Sequence, residues 1–318
     1  MDVLLREAGP EDVRAAARLL VDVYPHMPVS SRRIRHRMTN ADPTEAARHV
    51  AALDADRLIG WSRSLIDTRA TTTGQGHLLV VVAPPWRNRG IGSALLADAE
   101  RHLSMLGVRA IHANASDSDD IRRFCANRGW HPIGWTRYLS LDLSQLVGTP
   151  PPPVPSGVQV LPAWVMEDLR PLYEAHAEAT MDEPREDRPR DLSYLGWLEE
   201  VWHATDHDPS SGTVAVIGGK VASFSLYTID RSSARIWSTM TGTRRGYRGR
   251  GLATLVKAVA LHRAAERGFR TAWAAGDVDN APMAAVNQHL GYRLAATQVT
   301  VIRHLDSAFP SWPVNLGP

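Results

Sequence analysis

Two short segments of the sequence combine arginine and glycine in a pattern suited to holding a phosphate group. Each follows a predicted strand and has the form Arg-x-x-Gly-x-Gly or Arg-x-x-Gly-x-Ala. Glycines let a ligand approach the backbone, N–H groups at a helix start point outward, and the helix dipole favours negative charge. The first segment is Arg87, Asn88, Arg89, Gly90, Ile91 and Gly92, followed by Ser93, and the second is Arg248, Gly249, Arg250, Gly251, Leu252 and Ala253, followed by Thr254. One copy alone also fits an ordinary turn before a helix, whereas two copies in the same context predict two pyrophosphate sites.

Two histidines and the single cysteine are further residues that could take part in catalysis. His77 lies on the predicted strand before the first segment and His112 on the next strand, where an imidazole can serve as general base near neutral pH. The alternative is a pair of histidines packed near the sheet. Cys125 has no evident basic partner in the sequence, so a buried apolar role competes with that of an acyl-accepting nucleophile.

The two segments belong to a longer internal repeat with an offset of 161 positions. Gly107 and Arg109 meet Gly268 and Arg270 at the same offset, and one further residue of slippage aligns Gly129 with Gly291. Between the halves, residues 148–157 contain a run of prolines that favours an extended spacer. The sequence therefore predicts an N-terminal domain at 1–147, a linker at 148–157 and a C-terminal domain at 158–318.

The elements that must position these segments follow the same order in both halves. Each half is expected to begin with a short strand and a helix, continue with a hairpin, and then run from a buried strand into the arginine and glycine segment. In the second half the hairpin turn is predicted at Gly218 and Gly219, and helices after the two segments should end near Gly107 and Gly268. We therefore predict an α/β (α+β) fold, with two tandem domains that each contain a mixed, mostly antiparallel sheet flanked by helices.

Composition excludes several classes of protein. Apolar residues make up 44% of the chain and charged residues 22%, as in soluble globular proteins, and no apolar stretch is long enough to span a membrane. The start of the sequence lacks a signal-peptide core, so we expect a cytoplasmic protein with no membrane partner. A net charge of +2 does not indicate a nucleic-acid partner, and a single cysteine cannot form a cysteine-based metal site. We expect no metal, and a monomer or a homodimer.

The two segments, in their strand and helix context, resemble the signature of the GNAT superfamily, whose members transfer acyl groups from acyl-coenzyme A to amines. The resemblance implies that acetyl-CoA, or another acyl-CoA, is the co-substrate and that both segments wrap its pyrophosphate. It also implies that Val82 and Thr243 meet the pantetheine arm. Asn280, together with Val286 and Asn287, resembles the C-terminal motif of tandem actinobacterial members, in which the asparagine before the helix contacts the pantetheine arm.

An acidic segment at Asp182 and Glu183 resembles the place where acceptor substrates dock in the same relatives. A solvated loop is an equally good interpretation of these two residues. The resemblance implies direct transfer to a primary amine of a small molecule in a ternary complex, which requires an uncharged amine and a proton for the departing thiolate. The sequence names neither the acceptor amine nor the acyl group.

The tyrosine that many family members use to protonate the thiolate is missing from both halves. The corresponding pairs are Phe124 with Cys125 and Val286 with Asn287, so this role passes to water or to another group. In tandem relatives such as mycothiol synthase the C-terminal half is catalytic, which favours the second half here. One or both halves could instead be non-catalytic acyl-CoA-binding modules. Arginine clusters at 32–37 and 244–251 suggest nucleic-acid binding as a weaker alternative.

Overall fold

The computed structural model describes residues 3–70, 72–182, 192–277 and 280–305. In these residues the strands are β1 (Val3–Glu7), β2 (Arg48–Asp54), β3 (Arg57–Ile66), β4 (Gln75–Val82), β5 (Ala110–Ser116), β6 (His131–Asp142), β7 (Gln159–Pro162), β8 (Thr213–Ile217), β9 (Lys220–Asp230), β10 (Arg235–Thr243), β11 (Thr271–Asp277) and β12 (Arg293–His304). The α-helices are α1 (Val13–Val23), α2 (Ser31–Thr39), α3 (Ile91–Met105), α4 (Asp119–Ala126), α5 (Arg170–Met181), α6 (Tyr194–Trp197), α7 (Leu252–Glu266) and α8 (Ala281–His289).

The chain divides into two compact units, residues 1–135 together with 297–318, and residues 136–296. In the first unit the strand order is β1-β2-β3-β4-β5-β12, and only β4 and β5 are parallel. In the second unit the order β7-β8-β9-β10-β11-β6 repeats this arrangement, with β10 and β11 as the parallel pair. The predicted mixed, mostly antiparallel sheet is confirmed in both units.

The last strand of each sheet comes from the other half of the sequence. Residues 136–142 of β6 pair with β11, and residues 298–304 of β12 pair with β5. The changeover between the two compact units lies at 135–136 and 296–297, whereas the sequence repeat places its boundary between halves at residues 148–157. Those prolines lie between β6 and β7 within the second unit.

Helices cover both faces of the sheet in each unit because alternate strand residues point to opposite sides. In the second unit Tyr227 of β9 packs with α7, whereas its neighbours Phe224 and Leu226 pack with α5 and α6. In the first unit Trp61 packs with α1 and α2, and Ile59 packs with α3. Apolar residues of α3 and α7 thus pack on the sheets of their units, and this packing holds the two helices in place after the arginine and glycine segments.

The predicted turn positions are confirmed. Gly218 and Gly219 join β8 to β9 with φ values of +56° and +75°, the left-handed pair that a tight hairpin requires. Gly107 and Gly268 follow α3 and α7 with φ values of +76° and +84°. These glycines end the two helices that follow the arginine and glycine segments.

Candidate active site

The parallel strands β10 and β11 of the second unit separate before they end. Their pairing stops at Ser238 and Ala274, although β10 continues to Thr243 and β11 to Asp277. A β-bulge at Thr239, between Ser238 and Met240, shifts the register of β10 against β9 at this point. Beyond the bulge, the side of β10 that faces β11 has no strand partner among the described residues. Its backbone N–H and C=O groups on that side can therefore bind a ligand.

A cavity of about 550 Å³ lies where the strands part. It is lined by residues 238–243 of β10, Ala274, Ala275 and Gly276 of β11, Tyr247, Arg248, Gly249 and Gly251 of the loop, Leu252, Ala253, Thr254 and Lys257 of α7, Asn280, Pro282, Met283, Val286 and Asn287 at α8, and Ala179 and Asp182 at α5. The second arginine and glycine segment, the strand end and α8 thus meet in one cavity, and Thr243, Asn280 and Asn287 are among its lining residues.

The loop between β10 and α7 has the backbone of an anion cradle. Gly249 and Gly251 have φ values of +74° and +72°, and a Cβ built on either of them meets no atom within 4 Å. Gly251 directly precedes α7, so the unpaired N–H groups of the first helical turn lie at this open surface. The loop of the first unit matches this conformation, with Asn88 at φ +60° and Gly90 at φ +81° before α3.

Arginines brace both loops in the same way. The Nε of Arg248 donates to the carbonyl of Thr243 at 3.1 Å, and the Nε of Arg87 donates to the carbonyl of Val82 at 3.2 Å. The guanidinium of Arg250 stacks over Tyr247 with 5.6 Å to the ring centroid, and that of Arg89 over Trp86 with 5.1 Å. The repeat is therefore conserved between the units at the level of individual contacts.

Asp182 lies at the end of α5 and pairs with the loop arginines. Its carboxylate accepts hydrogen bonds from Arg245 Nε at 2.9 Å and from a terminal nitrogen of Arg248. These partners, Arg245 first, hold the pKa of Asp182 well below its usual range, which makes the carboxylate a weak base. Glu183, the other acidic candidate, lies outside the described residues.

Arg244 is also paired, through its Nε, with Glu178 of α5 at 2.8 Å. Three arginines of the 244–251 cluster thus have carboxylate partners on α5. This neutralises part of the charge on which the nucleic-acid alternative depended.

Two asparagines near α8 have distinct partners. Asn280 caps α8, since its side-chain oxygen accepts the N–H of Met283 at 3.2 Å. Asn287 is 1% exposed, and its side-chain oxygen accepts a hydrogen bond from Lys257 Nζ at 2.6 Å. Both asparagines border the cavity.

Lys257 is the functional candidate that sequence reasoning missed. It is 1% exposed on α7, and burial lowers the pKa of its amine to about 7. Its Nζ lies 5.0 Å from the ring centroid of Tyr292. The available signal was a charged residue within the apolar stripe of α7, next to Val256, because an unpaired lysine is seldom fully buried.

Hydroxyl groups form a row on the same side of β9 and β10. Ser223 Oγ lies 2.9 Å from Thr243 Oγ1, and Thr241 Oγ1 lies 2.8 Å from Ser225 Oγ and 3.2 Å from Ser238 Oγ. Thr241, Thr243 and Ser238 border the cavity. These bonds fix the threonine side chains, so the cavity wall along β10 is pre-organised.

The first unit has a similar cavity of about 510 Å³ with different chemistry. The segment residues that line it are Val82, Arg87, Asn88, Gly90, Gly92 and Ser93. No register shift interrupts the pairing of β4 with β3. At the places that correspond to Lys257 and Asn287 stand Leu96 and Cys125, which both line the cavity. The wall that carries an amine in the second unit is therefore apolar in the first.

Cys125 is half-buried, and burial raises the pKa of its thiol. A raised thiol pKa lowers the fraction of thiolate, the nucleophilic form. Next to it, Arg128 stacks over Phe124 at 3.8 Å and donates to Ser93 Oγ at 2.9 Å. The structure supports a packing role for Cys125 rather than an acyl-accepting one.

His77 and His112 are neighbours in the register of β4 and β5, with 5.6 Å between ring centroids. Neither histidine is among the residues that line the cavity of the first unit. His77 Nε2 lies 2.9 Å from an oxygen of Asp67, and His112 Nε2 lies 2.9 Å from Gln75 Oε1. The structure brings the two together but places them in local pairs outside the cavity.

No cluster of three or more histidine, cysteine, aspartate or glutamate side chains in the described part of the chain is arranged to hold a metal ion. None of the helices described there has both the length and the hydropathy needed to cross a membrane.

Comparison with known proteins gives one family and several similar folds. The sequence model of the acetyltransferase (GNAT) family matches residues 15–130 and 167–292. A tandem GNAT protein from the clavulanic acid biosynthesis pathway superimposes with a TM-score of 0.74 at 21% identity, covering 98% of this chain and 100% of its own. A GCN5-related N-acetyltransferase from Sphaerobacter thermophilus gives a TM-score of 0.70 at 19% identity, covering 95% of each chain. A search of curated protein sequences gives no significant match.

Proposed function

The chain belongs to the acetyltransferase (GNAT) family, and on that premise we propose that it is an acyl-CoA-dependent N-acyltransferase whose catalytic site is the cavity of the second unit. The acyl donor we propose is acetyl-CoA, and the acceptor is a primary amine of a small molecule. The acyl group passes directly from thioester to amine while both are bound.

The observation that carries this proposal is the meeting of a phosphate cradle and an open strand edge in one cavity. Gly249 and Gly251 leave space where a Cβ would otherwise stand, and the first turn of α7 presents its N–H groups there. The unpaired end of β10 continues from this cradle toward the bulge at Thr239. A ligand with a pyrophosphate at one end and an extended arm that contains amides fits this arrangement, with the pyrophosphate in the cradle and the arm along β10.

Each part of the site has a role in this proposal. The pyrophosphate is held by the loop and helix start, namely Arg248, Gly249, Arg250, Gly251, Leu252, Ala253 and Thr254. Thr243 and the capped Asn280 flank the pantetheine arm, because both border the cavity beside the loop. The backbone of β10 near Thr239 supplies N–H groups for the negative charge that develops on the thioester oxygen.

Positioning supplies much of the expected rate. Holding the amine beside the thioester replaces a bimolecular encounter and contributes several kcal/mol to lowering the barrier, on the order of 7 kcal/mol in favourable cases. The amine must lose its proton before attack. Asp182 is a weak base in its ion pairs, so we assign this proton to water in the cavity.

A second function is favoured for the first unit. Its loop carries the same cradle and its cavity has a similar volume, but Leu96 replaces the ammonium of Lys257, and the thiol of Cys125, whose pKa burial raises, stands at the position of Asn287. We propose that the first unit, through Val82, Arg87, Asn88, Arg89, Gly90, Ile91, Gly92 and Ser93, binds acyl-CoA without catalysing transfer.

Calorimetric titration of acetyl-CoA into the wild type, Gly90→Glu and Gly251→Glu tests both assignments. A carboxylate placed in either cradle repels the pyrophosphate, so each variant should lose one of two sites. A screen of small-molecule amines with detection of released thiol should show activity in Gly90→Glu and none in Gly251→Glu. Binding that neither substitution reduces would contradict the assignment of the cradles.

A further inference from the structure

We propose that Lys257, held by Asn287, is the acid that protonates the sulfur of coenzyme A as the acyl group leaves. The proposal rests on the proposed function of the second unit and extends it, since the family's usual tyrosine is absent there. It assigns a catalytic role to a lysine on the buried face of α7.

The position of Lys257 points to the reacting end of the donor. Lys257 follows the cradle by about one and a half turns of α7 and lines the same cavity. Asn287 lies across from it on α8, where many family members carry the tyrosine, and Ser238 and Ala274 border the cavity where the strands part. A donor that begins at Gly251 and follows β10 therefore passes between Lys257 and the bulge at Thr239.

The surroundings of the amine leave it available for proton transfer. Among the described residues, Lys257 Nζ has one hydrogen-bond partner, the Asn287 side-chain oxygen at 2.6 Å, and no carboxylate pairs with it. An ammonium has three protons to donate, so the bond to Asn287 orients the group without using all of them. The face of Tyr292 at 5.0 Å accommodates the positive charge.

The fold does not need a lysine at this position. The corresponding residue of the first unit, Leu96, belongs to a well-packed apolar cluster on α3, and Cys125 takes the place of Asn287. Burying an amine without a carboxylate is unfavourable, whereas leucine fills the same space at no such cost. The second unit therefore carries a destabilising amine in its cavity. The first unit folds with leucine at the same position, so folding does not require the amine.

Cleavage of the thioester requires one proton for sulfur and releases one proton from the acceptor amine. The amine nitrogen forms a bond to the acyl carbon, the C–S bond breaks, and its electron pair stays on sulfur. Lys257 gives one proton to that sulfur and becomes neutral, while the amine's surplus proton goes to water. Lys257 then regains a proton from water, so the net products are the amide, free coenzyme A thiol and the proton released by the acceptor ammonium.

The acidity of Lys257 suits this task. Burial lowers the pKa of its amine to about 7, below the value of about 8.5 typical of an alkyl thiol. Transfer from the ammonium to the thiolate is thus favourable, and neutral Lys257 can be reprotonated near neutral pH. An exposed lysine would hold its proton too strongly.

The test uses coenzyme A itself, so it needs no acceptor amine. Coenzyme A is bound to the full-length protein, and ultraviolet absorbance of its thiolate is followed against pH for the wild type, Lys257→Met and Asn287→Ala. An ammonium and a nearby thiolate attract each other, so Lys257 and the bound thiol titrate as a coupled pair. In the wild type part of the thiolate absorbance should therefore appear with the proton that is lost near pH 7, whereas in Lys257→Met all of it should appear in one step near the ordinary thiol pKa of about 8.5. Asn287→Ala should reduce the early part without removing it, because the amine remains but is no longer oriented.

Lys220→Met is the matched control, since it removes the other lysine of the sequence, which is exposed on β9, and should leave the titration unchanged. Lys257→Met should fold, because the equivalent site of the first unit already accepts an apolar side chain, and calorimetry of acetyl-CoA binding verifies this. If Lys257→Met binds coenzyme A with an unaltered thiolate titration, the role of Lys257 is overturned and the proposed function stands. If the wild type binds neither coenzyme A nor acetyl-CoA, both fail.

Discussion

The carboxylate of Asp182 and the guanidinium of Arg245 form a two-pronged ion pair, with N–O distances of 2.9 and 2.5 Å. Asp182 also accepts a hydrogen bond from Arg248, one of the residues assigned to the pyrophosphate. The same carboxylate therefore occupies the arginines that an incoming phosphate would use.

Asp182→Asn should strengthen binding of acetyl-CoA to the second unit. Removing the negative charge frees Arg245 and Arg248 for the phosphates, and an exposed ion pair of this kind corresponds to about a twofold to fivefold change in affinity. The gain should disappear as salt is added, because the charges are near solvent. Calorimetric titration at low and high salt measures it, with Glu199→Gln as the control, because Glu199 is an exposed carboxylate that does not line the cavity.

Gly251→Ala should weaken acetyl-CoA binding about tenfold in the second unit. At φ +72° a side chain strains the backbone by about 1–2 kcal/mol, and the new Cβ enters the open space of the cradle. Gly246→Ala is a close control, because Gly246 lies in the same loop with an ordinary φ and open surroundings. Equal losses in the two variants would show that the loop does not bind the phosphates.

Lys257→Met should stabilise the protein, and the gain should shrink as the pH rises. The folded-state pKa of Lys257 is about 7, whereas an unfolded lysine titrates near 10.4. Between these values the unfolded state holds a proton that the folded state lacks, so the wild type's unfolding free energy rises by about 1.4 kcal/mol per pH unit relative to the variant.

Urea unfolding of both proteins, from about pH 6 to about pH 10, measures this difference. A difference that stays constant with pH would mean that the ammonium is not desolvated in the folded protein. Leu96→Met, at the corresponding position of the first unit, should show no such pH dependence.

Removal of Thr239 should slow transfer strongly while leaving acetyl-CoA binding in place. Without the bulge, β10 pairs with β9 as continuously as β4 pairs with β3 in the first unit, which still forms a cavity. Loss of an N–H aimed at the thioester oxygen should reduce the rate by about a hundredfold or more. Thiol release and calorimetry on the same preparation separate the two effects, and retained transfer would exclude a catalytic role for the bulge.

The two loops were predictable because their chemistry is local. Gly90 and Gly251 stand directly before a helix and after a buried strand, and the repeat offset identified both copies. Lys257 and Asn287 were not predictable as a pair, because they are 30 positions apart and meet only when α7 and α8 pack together. The bulge at Thr239 changes the offset between halves from 161 to 160 upstream of the loop, a shift too small to interpret without the register of the strands.

Residue type alone did not specify the surroundings of the predicted acids and bases. His77 and His112 have suitable side chains, but strand register places them beside Asp67 and Gln75. Asp182 does border the cavity of the second unit, yet its proximity to two arginines weakens it as a base. Acid and base strength depend on neighbours that sequence spacing does not specify.

The reciprocal assignment of β6 and β12 has a consequence for how the protein is made. The sheet of the first unit ends with residues 298–304, so this unit cannot be completed on the ribosome until the entire second unit has been translated. Either half expressed alone, cut at residues 148–157, would lack the last strand of its own sheet and would carry a strand, β6 or β12, whose partner strand lies in the other half. The two halves therefore depend on each other for folding, because neither half of the sequence contains all six strands of its own sheet.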